Sequence, residues 1–304
     1  GRHHQQQPGR PRPRVEAGDS RRSPERPCHR RSERVECGAA DQLSGWCPWS
    51  ADHQPGEVRG GVQSRHDVDR PEFPQQAVLV RTAIAPTRLP GWDAGAITVQ
   101  DRSAQLAAEA LSVKCGETVW DMCAAPGGKS AQLAEAQPAA LLLTDSDPAR
   151  MDKIRELFHR LGLQHAGVIL QALDATQPLP DALPQAFDAI LLDAPCSATG
   201  IIRRQPDVKW HRQAKDIGRL HVLQWRLLKN AWRHLKPGGR LLYSTCSVLK
   251  AENAGLIGQF LEQHVDAAVL PLSERFGRVS GAGRQRFPGD DEGDGFFYAL
   301  LERK

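Results

Sequence analysis

From about residue 100 to the C-terminus, short apolar segments alternate with longer segments of helical periodicity. The apolar segments predict strands at 117–122, 141–145, 168–170, 187–192, 240–245 and 296–301. Helices are predicted at 103–112, 127–135, 148–161, 213–235 and 251–264, with Ser103 as the first N-cap and Gly162 as the C-cap of the third. Because alternating strands and helices form a parallel sheet covered on both faces, we predict a doubly wound α/β fold.

The first 75 residues have a different composition. Residues 1–70 contain thirteen arginines and one leucine, and they lack Ile, Phe, Tyr, Met and Lys. Such a segment cannot bury enough apolar surface to offset the entropy lost on folding. Two interpretations remain open: a disordered basic tail, or out-of-frame translation of a GC-rich gene. We therefore divide the chain into an anomalous segment, 1–75, and one folded domain, 76–304.

Bulk properties exclude several classes of protein. The net charge of +4 is too small to indicate nucleic-acid binding by itself, so any basic surface must be local. The chain has no apolar run of about 18 residues, and we expect no membrane span. Its seven cysteines include no Cys-x-x-Cys pair, which argues against a zinc site and favours reduced thiols in the cytoplasm. We expect a monomer without a metal.

Acidic and sulfur-containing residues follow the predicted strands. They are Asp121, Asp145, Asp174, Asp193 and Cys246. In parallel sheets, ligands bind outside the carboxyl ends of the strands. A core would be filled by apolar residues instead, because buried carboxylates need partners. The pattern therefore predicts a ligand site at this edge of the sheet.

A glycine-rich turn, Cys123–Lys129, joins the first predicted strand to the following helix. Glycines there let the backbone approach a ligand, and the N–H groups at the helix start attract a carboxylate or phosphate. The turn is not G-x-G-x-x-G, which disfavours a dinucleotide. Asp145 is placed to accept hydrogen bonds from ribose hydroxyls, and Asp174 from an adenine amino group. A nucleotide-like cofactor is therefore expected.

Four motifs carry a resemblance to a known family: DMCAAPGGKS, LLDAPCSATGIIRRQPDVKW, LLYSTCSVLKAENA and EGDGFFYALL. Over residues 76–304 the chain closely resembles the RNA cytosine-5 methyltransferases, and most of all their bacterial 16S ribosomal RNA branch, Fmu/Sun. The resemblance implies a Rossmann-like methyltransferase fold, S-adenosylmethionine (SAM) as methyl donor and 16S rRNA as partner. The NusB-like RNA-binding domain of that branch is not recognisable in residues 1–75, which puts substrate affinity in question more than chemistry.

The resemblance also implies roles for individual residues. Cys246 would be the nucleophile that adds to cytosine, and Cys196 would assist release of the product. From the chemistry of the ring itself, which gains negative charge at nitrogen 3, Asp193 is expected to hydrogen-bond there if it is protonated or shares a proton. Contacts with SAM or the site around it are implied for Cys123, Ala124, Ala125, Pro126, Gly127, Gly128, Lys129, Asp145, Asp174 and Asp193. From the residues alone, Cys123 packs beneath the turn and is unreactive.

A basic stretch with one tryptophan follows the Pro-Cys motif. Its candidate RNA-binding residues are Arg203, Arg204, Lys209, Trp210 and Arg212. Stacking on aromatic rings and contacts with phosphates are the usual means of holding single-stranded RNA. The alternative for this stretch is an ordinary solvated loop.

Two further functions remain open. The same reaction could act on transfer RNA, or the chain could be a non-catalytic RNA-binding remnant. Methylation of an amino nitrogen is disfavoured, because that chemistry needs no thiol nucleophile and usually has an aromatic residue where Cys196 stands.

Overall fold

The computed structural model describes residues 77–81 and 83–304, together with the backbone of three short strands before them. Those strands are β1 (Val35–Cys37), β2 (Trp46–Cys47) and β3 (Val68–Asp69). With β4 (Leu79–Val80) they form a four-stranded sheet of order β2-β1-β4-β3. Apart from the backbone of these strands, residues 1–75 are outside the described part of the chain. The prediction that they are disordered or out of frame therefore concerns residues that the structure does not describe.

The main sheet has nine strands. Five run parallel: β5 (Thr118–Asp121), β6 (Ala140–Asp145), β7 (Val168–Ala172), β8 (Phe187–Asp193) and β9 (Leu235–Thr245). Four more are antiparallel to their neighbours: β10 (Ala267–Leu270), β11 (Arg278–Ser280), β12 (Gly283–Arg286) and β13 (Phe296–Arg303). The strand order is β11-β12-β13-β9-β8-β5-β6-β7, with β10 beside the second half of β13.

Six α-helices connect and cover these strands: α1 (Arg102–Leu111), α2 (Gly128–Glu135), α3 (Pro148–Arg160), α4 (Val208–His211), α5 (Ala214–His234) and α6 (Ala254–Gln263). Short 3-10 helices lie at Pro86–Arg88, Thr199–Ile201, Glu274–Phe276 and Asp290–Glu292.

Both faces of the sheet are buried, because successive strand residues point to opposite sides. In β6, Leu141 and Leu143 pack into a core that includes Phe158 of α3. Leu142 points the other way, into a core that includes Trp232 of α5. This two-sided burial explains the near-continuous apolar strands, and it confirms the predicted doubly wound α/β fold.

Several predicted boundaries need correction. Asp101, not Ser103, caps α1: the Asp101 carboxylate accepts a hydrogen bond from the Ser103 backbone N–H at 2.8 Å. The Ser103 hydroxyl instead donates to the carbonyl of Asp294 at 2.8 Å, which anchors α1 to the loop before β13. Strands β10, β11 and β12 were not predicted. The polar sequences of β11 and β12 lack the apolar alternation that indicates a strand, and β10 has only four residues, AAVL.

The chain order reverses beside β5. From β5 the chain moves outward to β6 and β7, and then crosses to β8 on the other side of β5. Such a reversal opens a crevice at the carboxyl ends of the two central strands, where ligands of open α/β sheets bind. The last residues of those strands are Asp121 and Asp193.

Candidate functional site

The predicted site residues meet at the carboxyl edge of the sheet. Asp121, Asp145 and Asp193 end β5, β6 and β8, and Cys246 follows β9 directly. Asp174 lies two residues after β7. The five strand ends named from the sequence therefore lie in a row along one edge of the sheet, because their strands are parallel neighbours.

The glycine-rich turn links β5 to α2 and folds back against β6. Ala124 N–H donates to the carbonyl of Thr144 at 2.9 Å, and Gly127 N–H donates to Ala124 O at 2.8 Å. The peptide bond between Ala125 and Pro126 is cis. Gly127 has a φ of 106°, which L side chains rarely adopt, and a Cβ there would lie 3.1 Å from the side chain of Leu157. The turn thus brings bare backbone to the start of α2.

One carboxylate oxygen of Asp145 accepts no hydrogen bond within the described chain, although the residue is only 3% exposed. Its Oδ1 accepts from the backbone N–H of Asp147 at 3.1 Å. Its Oδ2 receives no hydrogen bond from any described residue, although Arg150 Nη1 lies 3.3 Å away. Because buried polar atoms normally have partners, this oxygen is suited to accept a hydrogen bond from a ligand hydroxyl.

Asp174 is exposed, and its carboxylate already accepts a hydrogen bond within a turn. Its Oδ1 accepts from the backbone N–H of Thr176 at 2.9 Å, and this hydrogen bond lowers the pKa of the carboxyl group. The turn fixes the direction of the carboxylate.

Asp121 was noted in the sequence as a strand end but given no role. It is 1% exposed, its Oδ2 accepts from Ser130 Oγ at 2.7 Å, and its Oδ1 has no hydrogen-bond partner among the described residues. Burial raises the pKa of Asp121 to about 7. A partly protonated carboxyl group therefore lies at the crevice.

The two cysteines of the predicted chemistry are in contact. Cys196 Sγ and Cys246 Sγ lie 3.5 Å apart, one on the loop after β8 and the other on the loop after β9. The hydrogen bond to Cys246, together with burial, raises the pKa of the Cys196 thiol well above its usual value. Cys196 is therefore protonated near neutral pH.

A lysine from the glycine-rich turn reaches the same place. Lys129 Nζ donates to Asp193 Oδ2 at 2.7 Å, and Ser244 Oγ donates to Asp193 Oδ1 at 3.0 Å. Lys129 Nζ also lies 5.2 Å from the ring centroid of Phe296. Burial lowers the pKa of Lys129, but attraction to Asp193 outweighs it and raises the pKa overall. A fixed positive charge thus sits at the crevice.

A buried carboxylate that the sequence did not reveal connects the cysteine loops. Glu252 is 0% exposed and accepts hydrogen bonds from the backbone and side chain of Ser197 and from the hydroxyl of Ser247. Ser197 and Ser247 directly follow the two cysteines. The only sequence signal was the position of Glu252 inside the LLYSTCSVLKAENA motif.

Backbone contacts also hold the cysteine loops close. Gly200 N–H donates to the carbonyl of Cys246 at 2.9 Å, and Gly295 N–H donates to Gly200 O at 2.9 Å. A Cβ on Gly200 would lie 2.0 Å from Gly295 O, so no larger residue fits without displacing the loops.

The predicted RNA-binding residues divide into two groups. Arg203 donates to Glu292 O at 2.8 Å, Arg204 pairs with the carboxylate of Asp294, and Arg212 donates to Ser197 O at 2.7 Å. These three guanidinium groups already have protein partners and hold loops around the site. Lys209 and Trp210 are different: both side chains are exposed, and Trp210 is 78% exposed.

Among the remaining cysteines, Cys123 packs against the core on the α5 side of the sheet, and burial raises its pKa. Cys123, Cys196 and Cys246 are free thiols. The expectation that every cysteine is reduced is wrong for Cys115, which is disulfide-bonded. Cys115 lies in an exposed turn before β5.

Within the described ranges, no cluster of three His, Cys, Asp or Glu side chains could hold a metal ion. None of the helices described here combines the length and the apolar character needed to cross a bilayer.

Comparison with known proteins is consistent with this geometry. The family described as 16S rRNA methyltransferase RsmB/F matches residues 108–302. A relative from Xanthomonas campestris pv. campestris, named ribosomal RNA small subunit methyltransferase B, is 50% identical over 226 residues, which cover 74% of this chain and 52% of the relative. The chain thus spans about half the length of the curated relatives it matches.

Solved structures share the fold. A methyltransferase homolog protein from Pyrococcus horikoshii has a TM-score of 0.68 and 33% identity, covering 80% of each chain. NSun6 from the same organism, solved with SFG, has a TM-score of 0.64 and 27% identity over 74% of this chain and 57% of that one. The family match covers well over half of the sequence, and this chain therefore belongs to the 16S rRNA methyltransferase RsmB/F family.

Proposed function

We propose that this chain methylates carbon 5 of a cytosine in 16S ribosomal RNA, with SAM as methyl donor and Cys246 as the covalent nucleophile. The observation that carries the proposal is the contact between the Cys196 and Cys246 thiols, beside the Lys129–Asp193 ion pair and at the switch point of the sheet. Because the proposed substrate is ribosomal RNA, we expect the reaction to occur in the cytoplasm.

The cofactor assignment rests on how the residues present fit SAM. Asp145, at the end of β6, offers a buried carboxylate oxygen that accepts no hydrogen bond from the described residues, which suits ribose hydroxyls. The turn Cys123–Lys129 offers backbone N–H groups at the start of α2, which suit a carboxylate. Asp174 lies after the next strand and suits the adenine amino group. The structure of NSun6 with SFG, an analogue of SAM, supports a site of this kind. Bound SAM supplies an activated methyl group on a sulfonium sulfur.

Cytosine carbon 5 is a poor nucleophile until a thiolate adds to carbon 6. In the proposed step, the Cys246 sulfur forms a bond to carbon 6, and the displaced electron pair moves toward ring nitrogen 3. A proton must reach that nitrogen. Asp193 accepts hydrogen bonds from Lys129 and Ser244, so the proton comes from the Lys129–Asp193 pair rather than from a protonated Asp193 alone.

Product release requires the carbon 5 proton to leave and the bond between carbon 6 and sulfur to break. The electron pair of that bond returns to Cys246 as thiolate. The Cys196 thiol, 3.5 Å away, stabilises the departing thiolate by donating a hydrogen bond. The carbon 5 proton passes to solvent water, the proton on ring nitrogen 3 returns to the Lys129–Asp193 pair, and Cys196 keeps its own proton throughout.

The substrate side of the proposal rests on Lys209 and Trp210. A cytosine can reach the thiols only if it is unpaired or flipped out. The exposed ring of Trp210 offers a stacking surface, and Lys209 Nζ lies 5.1 Å from its centroid. Arg203, Arg204 and Arg212 are assigned to shaping the loops, since their guanidinium groups already have partners.

The test is transfer of radiolabelled methyl from SAM to unmodified 16S RNA, followed by digestion to nucleosides. We expect label in 5-methylcytidine, abolished by Cys246→Ala and retained by Val265→Ala, a change at an exposed side chain that has no role in the site. Label confined to transfer RNA would favour that substrate instead. SAM binding without any transfer would identify a non-catalytic remnant, and label on the amino nitrogen would refute the thiol mechanism.

A further inference from the structure

Glu252 lies in the loop between β9 and α6, completely buried beneath the two cysteine loops. Its Oε1 accepts from the backbone N–H of Ser197 at 2.8 Å and from Gln224 Nε2 at 3.1 Å. Its Oε2 accepts from Ser197 Oγ at 2.5 Å and from Ser247 Oγ at 2.6 Å. Each carboxylate oxygen therefore accepts two hydrogen bonds, and the donors include residues of both cysteine loops.

The surrounding contacts fix the carboxylate in place. Gln224 on α5 also donates to Pro195 O at 2.9 Å, on the β8 side of the pair. Tyr243 in β9 donates to the backbone carbonyl of Glu252 at 2.7 Å. No ion pair to Glu252 forms with any residue that the structure describes. Hydrogen bonds alone must stabilise this buried charge, which makes the arrangement intolerant of small displacements.

We propose that Glu252 is a positioning residue for the two thiols: its carboxylate fixes the Cys196 and Cys246 loops against each other. The proposal rests on the function proposed above and assigns a further residue to the same site. Ser197 and Ser247 transmit the effect, because each directly follows one of the cysteines and each donates to the same carboxylate oxygen.

The charge of Glu252 gives the two thiols different roles. The hydrogen bond to Cys246 and burial raise the pKa of Cys196 most, and the negative charge of Glu252 adds to them. On the other side, the Lys129 ammonium is attracted to a Cys246 thiolate. Glu252 therefore helps to keep Cys196 protonated, while Lys129 attracts a negative charge on the Cys246 sulfur. Attack by Cys246 requires this difference between the two thiols.

The first test measures thiol contact without any methyl transfer. Dibromobimane becomes fluorescent only after linking two neighbouring thiols, and Cys246→Ser gives the background rate. In Glu252→Ala we expect linking to slow by about tenfold or more, because four donors lose their acceptor and the loops separate. Glu262→Ala, an exposed glutamate on α6, should link at the wild-type rate. Wild-type linking in Glu252→Ala would overturn the proposal.

The second variant removes the charge and keeps the shape. In Glu252→Gln, the amide oxygen can accept from Ser197 N–H and Gln224, while the hydroxyls can rotate to accept from the amide nitrogen. We expect iodoacetamide to alkylate Cys196 about tenfold faster, because a neighbouring negative charge has gone. Alkylation of Cys123, followed in the same peptide mass spectrum, should not change. An unchanged Cys196 rate would refute the charge effect, even if Glu252→Ala fails to fold.

Methyl-transfer kinetics separate positioning from general damage. In Glu252→Ala, kcat should fall by about 100-fold while the KM for SAM stays unchanged, because the cofactor residues lie on β5, β6 and β7. If Glu252→Ala lost both its affinity for SAM and the cross-linking of its two thiols, Glu252 would have a merely structural role and the proposal would be overturned. A wild-type chain that links its thiols but transfers no methyl would refute the proposed function and leave the positioning role intact.

Discussion

Asp121 provides a quantitative test of how the crevice is built. Its carboxyl group is 1% exposed, has one hydrogen bond from Ser130 and a second oxygen without a partner in the described chain. Burial raises its pKa from 3.8 to about 7. Between these two pH values the unfolded chain has released the proton while the folded chain keeps it, so stability falls as pH rises. The full loss, reached above about pH 7, corresponds to roughly 4 kcal/mol.

Asp121→Asn removes this titration and keeps the hydrogen bond from Ser130. The variant should match the wild type at pH 4 and exceed its unfolding free energy by an amount that grows to roughly 4 kcal/mol at pH 8. Urea unfolding at pH 4, 6 and 8 measures the difference, with fluorescence of the buried Trp120 as the signal. Asp181→Asn, at an exposed carboxylate, should show no such trend. A constant difference between Asp121→Asn and wild type across this range would refute the reasoning.

Three further predictions follow from the site. Asp145→Asn should weaken SAM binding by about tenfold, measured by calorimetry, because a buried acceptor for hydroxyl groups becomes partly a donor; unchanged affinity would exclude Asp145 from the cofactor site. Gly200→Ala should reduce methyl transfer by about 100-fold with SAM affinity retained, since its Cβ would meet Gly295 O at 2.0 Å; normal turnover would contradict the loop packing. Trp210→Ala should leave urea stability unchanged and raise the KM for RNA by about tenfold or more, because stacking contributes roughly 1–3 kcal/mol per base; an unchanged KM would assign the exposed ring no role in binding.

The parallel half of the fold was predictable because its residues obey a simple rule. Strands buried on both faces are continuously apolar, and β6 and β8 have that pattern between clear helices. In the antiparallel edge, β13 was predictable from its apolar sequence, but β11 and β12 were not. In β12 the inward residue Arg286 is 3% exposed and is satisfied by hydrogen bonds to Ser103 Oγ and to the backbone carbonyls of Arg275 and Asp290. The amino-acid composition of β12 does not indicate that Arg286 has these hydrogen-bond partners.

The site shows the same division. Asp145, Asp193 and Cys246 were identifiable because each ends or follows a strand, and parallel strands end at one edge. Glu252 was not identifiable, because its effect depends on contacts with two loops that are distant in sequence. Charge alone also could not separate Arg204, which pairs with Asp294, from the exposed Lys209.

The central claim is that Cys246 attacks the cytosine ring, and trapping of the covalent complex tests it most directly. RNA that contains 5-azacytosine should form a stable adduct with the chain in the presence of SAM. Mass spectrometry of the digested complex should place the nucleotide on Cys246, and Cys246→Ala should form no adduct. With natural RNA, Cys196→Ala should accumulate the same adduct because release is slowed. An adduct located on Cys196, or methyl transfer that persists in Cys246→Ala, would contradict the account.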